Sequence, residues 1–286
     1  MKFKYIVSTF LSTTVVCILA RALQLNLMID EKGFTLTSYR NYSLFVLALL
    51  FATCIALAVV GTQTHRCPAH PPKMKLSLAF PAILYGVWVV FDVVHAFFSA
   101  RVPSWQIVLL AVFGILTGAL FILYGMKAFK NIKLPSVLFV LPVLYQMVRA
   151  LCMFISVSTL ALTSGHILML ASECSVLLFM LELGKMMCGL DKEKNYRKIL
   201  STGMVAVFFC CVTTVPYIVI LLSGKQVVLN ESYSSLILTF LAGAFVMCFL
   251  FNHFSLTNRQ LFRKKKSKQS TDDAEKKSSG TAFFTS

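Results

Sequence analysis

Five ionisable side chains interrupt stretches of sequence that are otherwise apolar: Arg21, Asp92, His95, Arg149 and Glu173. Asp92 and His95 are three residues apart, so on a helix they share a face. Tyr145 precedes Arg149 by four and shares its face in the same way. A charge inside a membrane is costly, so each needs a partner or a purpose. Two arginines and two carboxylates make a neutral set, which holds its charges in a low-dielectric bundle only if they pair. Two chemistries fit these residue types. One is an ion-pair network that ties helices together. The other is a pocket open to the outside, in which an arginine receives the anionic group of a small anionic or zwitterionic solute. A guanidinium is well shaped for such fork-like recognition of carboxylate or phosphate. The candidate ligand-binding residues are therefore Arg21, Asp92, His95, Tyr145, Arg149 and Glu173.

Other chemistry is poorly represented. There is no H-E-x-x-H, no G-x-S-x-G and no phosphate-binding loop, so no catalytic residue is assigned. The nine cysteines contain no C-x-x-C pair and read as small apolar fillers. His95 and His166, with Asp92 and Glu173, are the donors a metal would use, but their spacing is no metal motif and neither a metal nor a cofactor is expected. Glu182 and Lys185 read as a local salt bridge near the inner face. Pro216, following Thr213-Thr214-Val215, frees a backbone carbonyl and is a candidate hinge.

The elements that position these residues follow from composition. Hydrophobic residues make up 58% of the 286 residues and charged ones 13%; soluble domains carry about 25% charged residues. Apolar runs occur at 5–27, 42–61, 76–98, 104–126, 136–158, 166–188, 199–223 and 234–254. Each is long enough to cross a hydrocarbon core of ~30 Å as a helix. None has the alternation of a barrel strand. The fold class is all-α: a polytopic bundle of about eight transmembrane helices.

The net charge of +16 would suggest nucleic acid in a soluble protein. Here its placement matters more, and no nucleic-acid partner is expected. Twenty-one of the 27 lysines and arginines fall at the termini and in every second loop, and four in the alternate loops. That bias sets both ends in the cytoplasm. The remaining two are Arg21 and Arg149. An alternative for the first span is a cleaved signal peptide, because Lys2 and Lys4, an apolar stretch and Ala20-Arg21-Ala22 have its outline. Two domains result: residues 1–254 as the bundle and 255–286 as a disordered basic cytoplasmic tail. The tail suits anionic lipid headgroups or a membrane protein partner.

Two hairpins look alike. Pro81-Ala-Ile-Leu-Tyr85 opens the third span and Pro142-Val-Leu-Tyr145 the fifth, while the fourth and sixth end Leu120-Phe-Ile-Leu-Tyr-Gly-Met-Lys127 and Leu178-Phe-Met-Leu-Glu-Leu-Gly-Lys185. A parallel repeat of spans 3–4 and 5–6 is one reading. Glycosylation sequons begin at Asn41 and Asn230, both expected in outer loops.

The stretches ARALQLNLMIDEKGF at 20–34 and ASECSVLLFMLELGKMMCG at 171–189, with the Arg149 helix, resemble an uncharacterised family of multi-pass membrane proteins of Gram-positive anaerobic bacteria. The resemblance implies a bacterial cytoplasmic membrane and transfers no activity. Three functions stay open: binding or transport of a small solute, a non-enzymatic membrane subunit or sensor, and an intramembrane lipid-modifying enzyme.

Overall fold

The computed structural model describes residues 3–27, 36, 39–62, 75–99, 104–130, 134–159, 164–190, 195–222 and 233–252. Eight helices are long and apolar enough to cross a membrane. They are α1 (Phe3–Leu27), α2 (Arg40–Thr62), α3 (Leu76–Ser99), α4 (Trp105–Met126), α5 (Val140–Thr159), α6 (Ser164–Met187), α7 (Asn195–Leu222) and α8 (Tyr233–Asn252). Each coincides within a few residues with an apolar run of the sequence. A 3₁₀ turn, Ser136–Phe139, follows Pro135 and leads into α5. No strand occurs among the described residues. This is an all-α polytopic bundle, because a backbone in lipid must satisfy its polar groups internally.

The helices pack as two groups with a shared middle. α1, α2 and α7 contact one another, as do α3 with α4 and α4 with α5. α6 packs against both α5 and α7. α8 lies in the centre, where Phe245 meets Tyr85 of α3 and Phe121 of α4, and Phe249 meets Phe179 of α6. Large apolar side chains such as Phe45, Ile55, Phe80 and Phe98 are exposed on the outside of the bundle. They face the hydrocarbon that takes the place of water for a membrane-embedded chain.

α3 and α4 approach backbone to backbone. A Cβ on Gly118 would lie 2.6 Å from the Gly86 carbonyl, and one on Gly86 would lie 2.7 Å from the Gly118 carbonyl. Small residues allow such contact where no hydrophobic effect drives helices together. The counterpart beside α5 is Gly184 of α6, which faces the carbonyl of Phe139 in the 3₁₀ turn before α5. The two hairpins of the supposed repeat are thus both packed pairs, joined by different contacts.

α6 ends at Gly189, whose φ is +74°. The Leu190 amide donates to the Lys185 carbonyl and the Gly189 amide to Met186, a left-handed cap that closes the helix. The sequon at Asn41 is not in a loop. Asn41 is the second residue of α2 and Ser43 is buried, because the helix begins at Arg40 to bring Ser43 against α1. The sequon at Asn230 and the basic tail lie outside the described residues.

Candidate functional site

The candidate residues fall into two separate sites. The larger lies where α3, α5, α6 and α8 converge. Arg149 of α5 is its centre: Nη2 forms an ion pair with Glu173 Oε1 of α6 at 3.1 Å and donates to Ser235 Oγ of α8 at 2.9 Å. Nη1 lies 3.9 Å from Asp92 Oδ2 of α3 and 3.4 Å from the Tyr145 hydroxyl one turn back. Glu173 is held from two further sides, by Thr239 Oγ1 at 3.1 Å on Oε1 and by the Gln146 amide on Oε2. Asp92 accepts from Ser234 Oγ, and the Trp88 indole donates to the Ser234 carbonyl at 3.1 Å. Asp92, Tyr145, Arg149 and Glu173 therefore come together.

Exposure is graded across this set. The Asp92 side chain is 17% exposed, that of Arg149 11% and that of Glu173 4%. Asp92 bonds the first turn of α8, at the end of the bundle that the loop charges assign to the outside. Glu173 sits deeper, and beyond it Tyr85, Phe121, Phe245, Phe249 and Phe179 form a connected row of rings. The hollow lined by Tyr85, Gln146, Arg149, Glu173 and Thr239 has no room for a water molecule. The set holds two carboxylates and one guanidinium, so it is not the neutral set of four that residue types alone suggest.

Arg21 forms the second site, with a 1% exposed side chain. Its Nη1 donates to Gln24 Oε1 of α1 and to Ser164 Oγ of α6, the latter at 3.2 Å. The Tyr217 hydroxyl of α7 faces the same guanidinium. Gln24 in turn donates to Ser43 Oγ of α2 at 2.6 Å. The separation from Arg149 has a simple cause. Ser164 and Glu173 are nine residues apart on α6, about 13 Å along its axis. Arg21 meets the outer end of α6 and Arg149 meets its middle.

The other candidates lie elsewhere. His95 is exposed, its ring stacked on Phe91 with centroids 6.0 Å apart. Three residues from Asp92 keeps it on the same side of α3, yet its side chain is exposed where that of Asp92 is half-buried. Pro216 is buried in α7, which remains helical through it. It lies between Thr213, whose hydroxyl donates to the Leu168 carbonyl of α6 at 3.4 Å, and Tyr217. The Lys185–Glu182 pair is formed at 2.9 Å near the inner end of α6. Among the described residues no three His, Cys, Asp or Glu side chains converge as metal donors would.

Gln24, Ser43, Gln146, Ser164, Tyr217, Ser234, Ser235 and Thr239 escaped the reading of the sequence. A usable signal existed for three of them: Gln24 lies three after Arg21, and Ser235 and Thr239 are four apart on one helix face. Compared with models of known families, with curated proteins and with solved structures, the chain has no match.

Proposed function

We propose that this chain is a non-enzymatic multi-pass protein of a bacterial cytoplasmic membrane, a subunit or sensor. In this reading the Asp92–Arg149–Glu173 set is an interhelical clamp. One observation carries it: the largely buried Arg149 guanidinium is already engaged by two carboxylates and by the Ser235 hydroxyl, from three other helices. An arginine paired in this way ties helices together, and a solute would have to displace one of its carboxylates. The membrane assignment rests on the resemblance of residues 20–34 and 171–189. The clamp leaves signalling and partner contacts to the cytoplasmic loops and the basic tail, with anionic headgroups as the tail's ground state.

Two measurements test this reading. In lipid nanodiscs, Arg149→Ala should lower the unfolding temperature sharply, since removing one partner strands buried charges. In a screen of amino acids, organic acids and phosphates, any rise in the wild-type transition should persist in Arg149→Ala. A solute that stabilises wild type and fails to stabilise Arg149→Ala would sink the clamp in favour of a solute site. Affinity capture from membranes, with and without residues 259–286, tests the tail: identical partners in both would remove it from the proposal.

A further inference from the structure

The most anomalous group in the molecule is Arg21, and it lies outside the clamp. Its side chain is buried, and no Asp or Glu pairs with it among the described residues. Among the described residues the polar groups on it are neutral: Gln24, Ser164 and Tyr217. Its Nε is buried without an acceptor. A guanidinium offers five N–H donors, and Nη1 alone accounts for the bonds to Gln24 and Ser164.

Its position deepens the anomaly. Ser164 is the first residue of α6, a helix of 24 residues. The free amides there give a helix N-terminus a partial positive charge, which favours anions and disfavours cations. Arg21 therefore stands at the end of α6 that a lone cation should avoid. The hydroxyls of Ser164 and Tyr217 can also turn their hydrogens outward as donors. Positive charge, a helix N-terminus and two hydroxyls meet here from α1, α6 and α7, with no negative charge beside them among the described residues.

We propose that Arg21 is the core of an oxyanion site that takes a carboxylate or phosphate group from the outer side of the membrane. The group accepts from the Arg21 guanidinium and from the hydroxyls of Ser164 and Tyr217, and it supplies the missing negative charge. Arginine matches this oxyanion geometry, and a lysine does not reproduce it. The phosphate belongs either to a free solute or to an anionic lipid of the outer leaflet. The inference concerns helices α1, α6 and α7 and does not depend on the clamp at Arg149.

The test uses the full chain in nanodiscs of zwitterionic lipid, at constant ionic strength set with sodium chloride. Sodium acetate and sodium phosphate are titrated while thermal unfolding is followed. A saturable rise of a few degrees is expected from ligand binding to the folded state alone. It should vanish in Arg21→Gln and weaken about tenfold in affinity in Arg21→Lys. A second arm adds phosphatidylglycerol and no soluble oxyanion; a rise that Arg21→Gln abolishes assigns the group to the lipid. A wild type unmoved in both arms, or an equal rise in Arg21→Gln, overturns the site. Should Arg21→Gln fail to fold, Tyr217→Phe and Ser164→Ala retain the charge and remove the hydroxyls. Unchanged affinity in both then overturns the proposal, and a loss of about threefold or more supports it.

Discussion

At the Arg149 guanidinium the two carboxylates are held unequally. Glu173 lies at 3.1 Å with Thr239 and Gln146 behind it, whereas Asp92 lies at 3.9 Å and is the more exposed of the two. Glu173→Gln should therefore destabilise more than Asp92→Asn, by a margin visible in paired unfolding experiments. Arg149→Ala should cost about 3–5 kcal/mol, the usual range when one member of a buried pair is removed. Equal costs for the two carboxylate variants would remove the asymmetry. The charges themselves were legible in the sequence, because an ionisable group stands out in an apolar run. Their grouping was legible only in part. Depth along a helix can be counted from the loops, but the direction a side chain faces around the axis cannot, so Arg21 and His95 were placed with a cluster they do not join. The hydroxyl partners were invisible for another reason. Thr13, Thr14 and Thr53 donate to carbonyls four residues back in their own helices. A serine or threonine in an apolar run is satisfied that way by default, so nothing in the sequence sets Ser234 apart from Thr53.

At the scale of elements, the boundaries follow the apolar runs closely. The departures are at three starts: α2 takes in Arg40 and Asn41, α7 begins four residues before its apolar run at Asn195, and α5 begins at Val140 after the 3₁₀ turn. The close pairing of α3 and α4 depends on Gly86, Gly114 and Gly118. Gly114 makes room for Val93 and for the Tyr145 ring, since a Cβ there would lie 2.6 Å and 3.2 Å from them. The glycine contact thus reaches the Arg149 site through Tyr145. Gly118→Val should push α3 from α4, at a cost of about 1–3 kcal/mol for overpacking. The same substitution at Gly189 meets open space but a positive φ, so its penalty is conformational and local to the end of α6. Unfolding temperatures of the two variants check this. A Gly118→Val protein as stable as wild type would show that α3 and α4 can part freely.

At the scale of the molecule, the loop charges turn a count of helices into a direction for each one. That direction places the Asp92 end of the clamp and the Ser164 end of α6 on the same face of the membrane. Which helix sits at the centre was not legible. Hydropathy alone ranks α2 and α4 as the most apolar of the eight, yet α6, α7 and α8 are the most buried. In lipid both the core and the outer surface are apolar, so hydropathy does not rank helices by burial: α7 is nearly as apolar as α4 and far more buried. α1 belongs to the assembly through Arg21 and Gln24, which reach α6 and α2. A chain lacking residues 1–27 should lose those bonds and unfold at a lower temperature; an unchanged transition would show the first span to be dispensable.

The central place of α8 also bears on how the chain is made. α8 leaves the ribosome after the seven helices it packs among, and it carries Ser234, Ser235 and Thr239, the hydroxyls that complete the partners of Asp92, Arg149 and Glu173. Until it arrives, the first seven helices hold three charges at membrane depth with their coordination incomplete and a gap where Phe245 and Phe249 will pack. The nascent bundle therefore stays open along its middle until α8 is inserted and closes it. A messenger cut short before α8 would yield a chain that looks fully membrane-inserted by hydropathy yet displays unsatisfied charge within the bilayer, the kind of defect that membrane quality-control proteases act on.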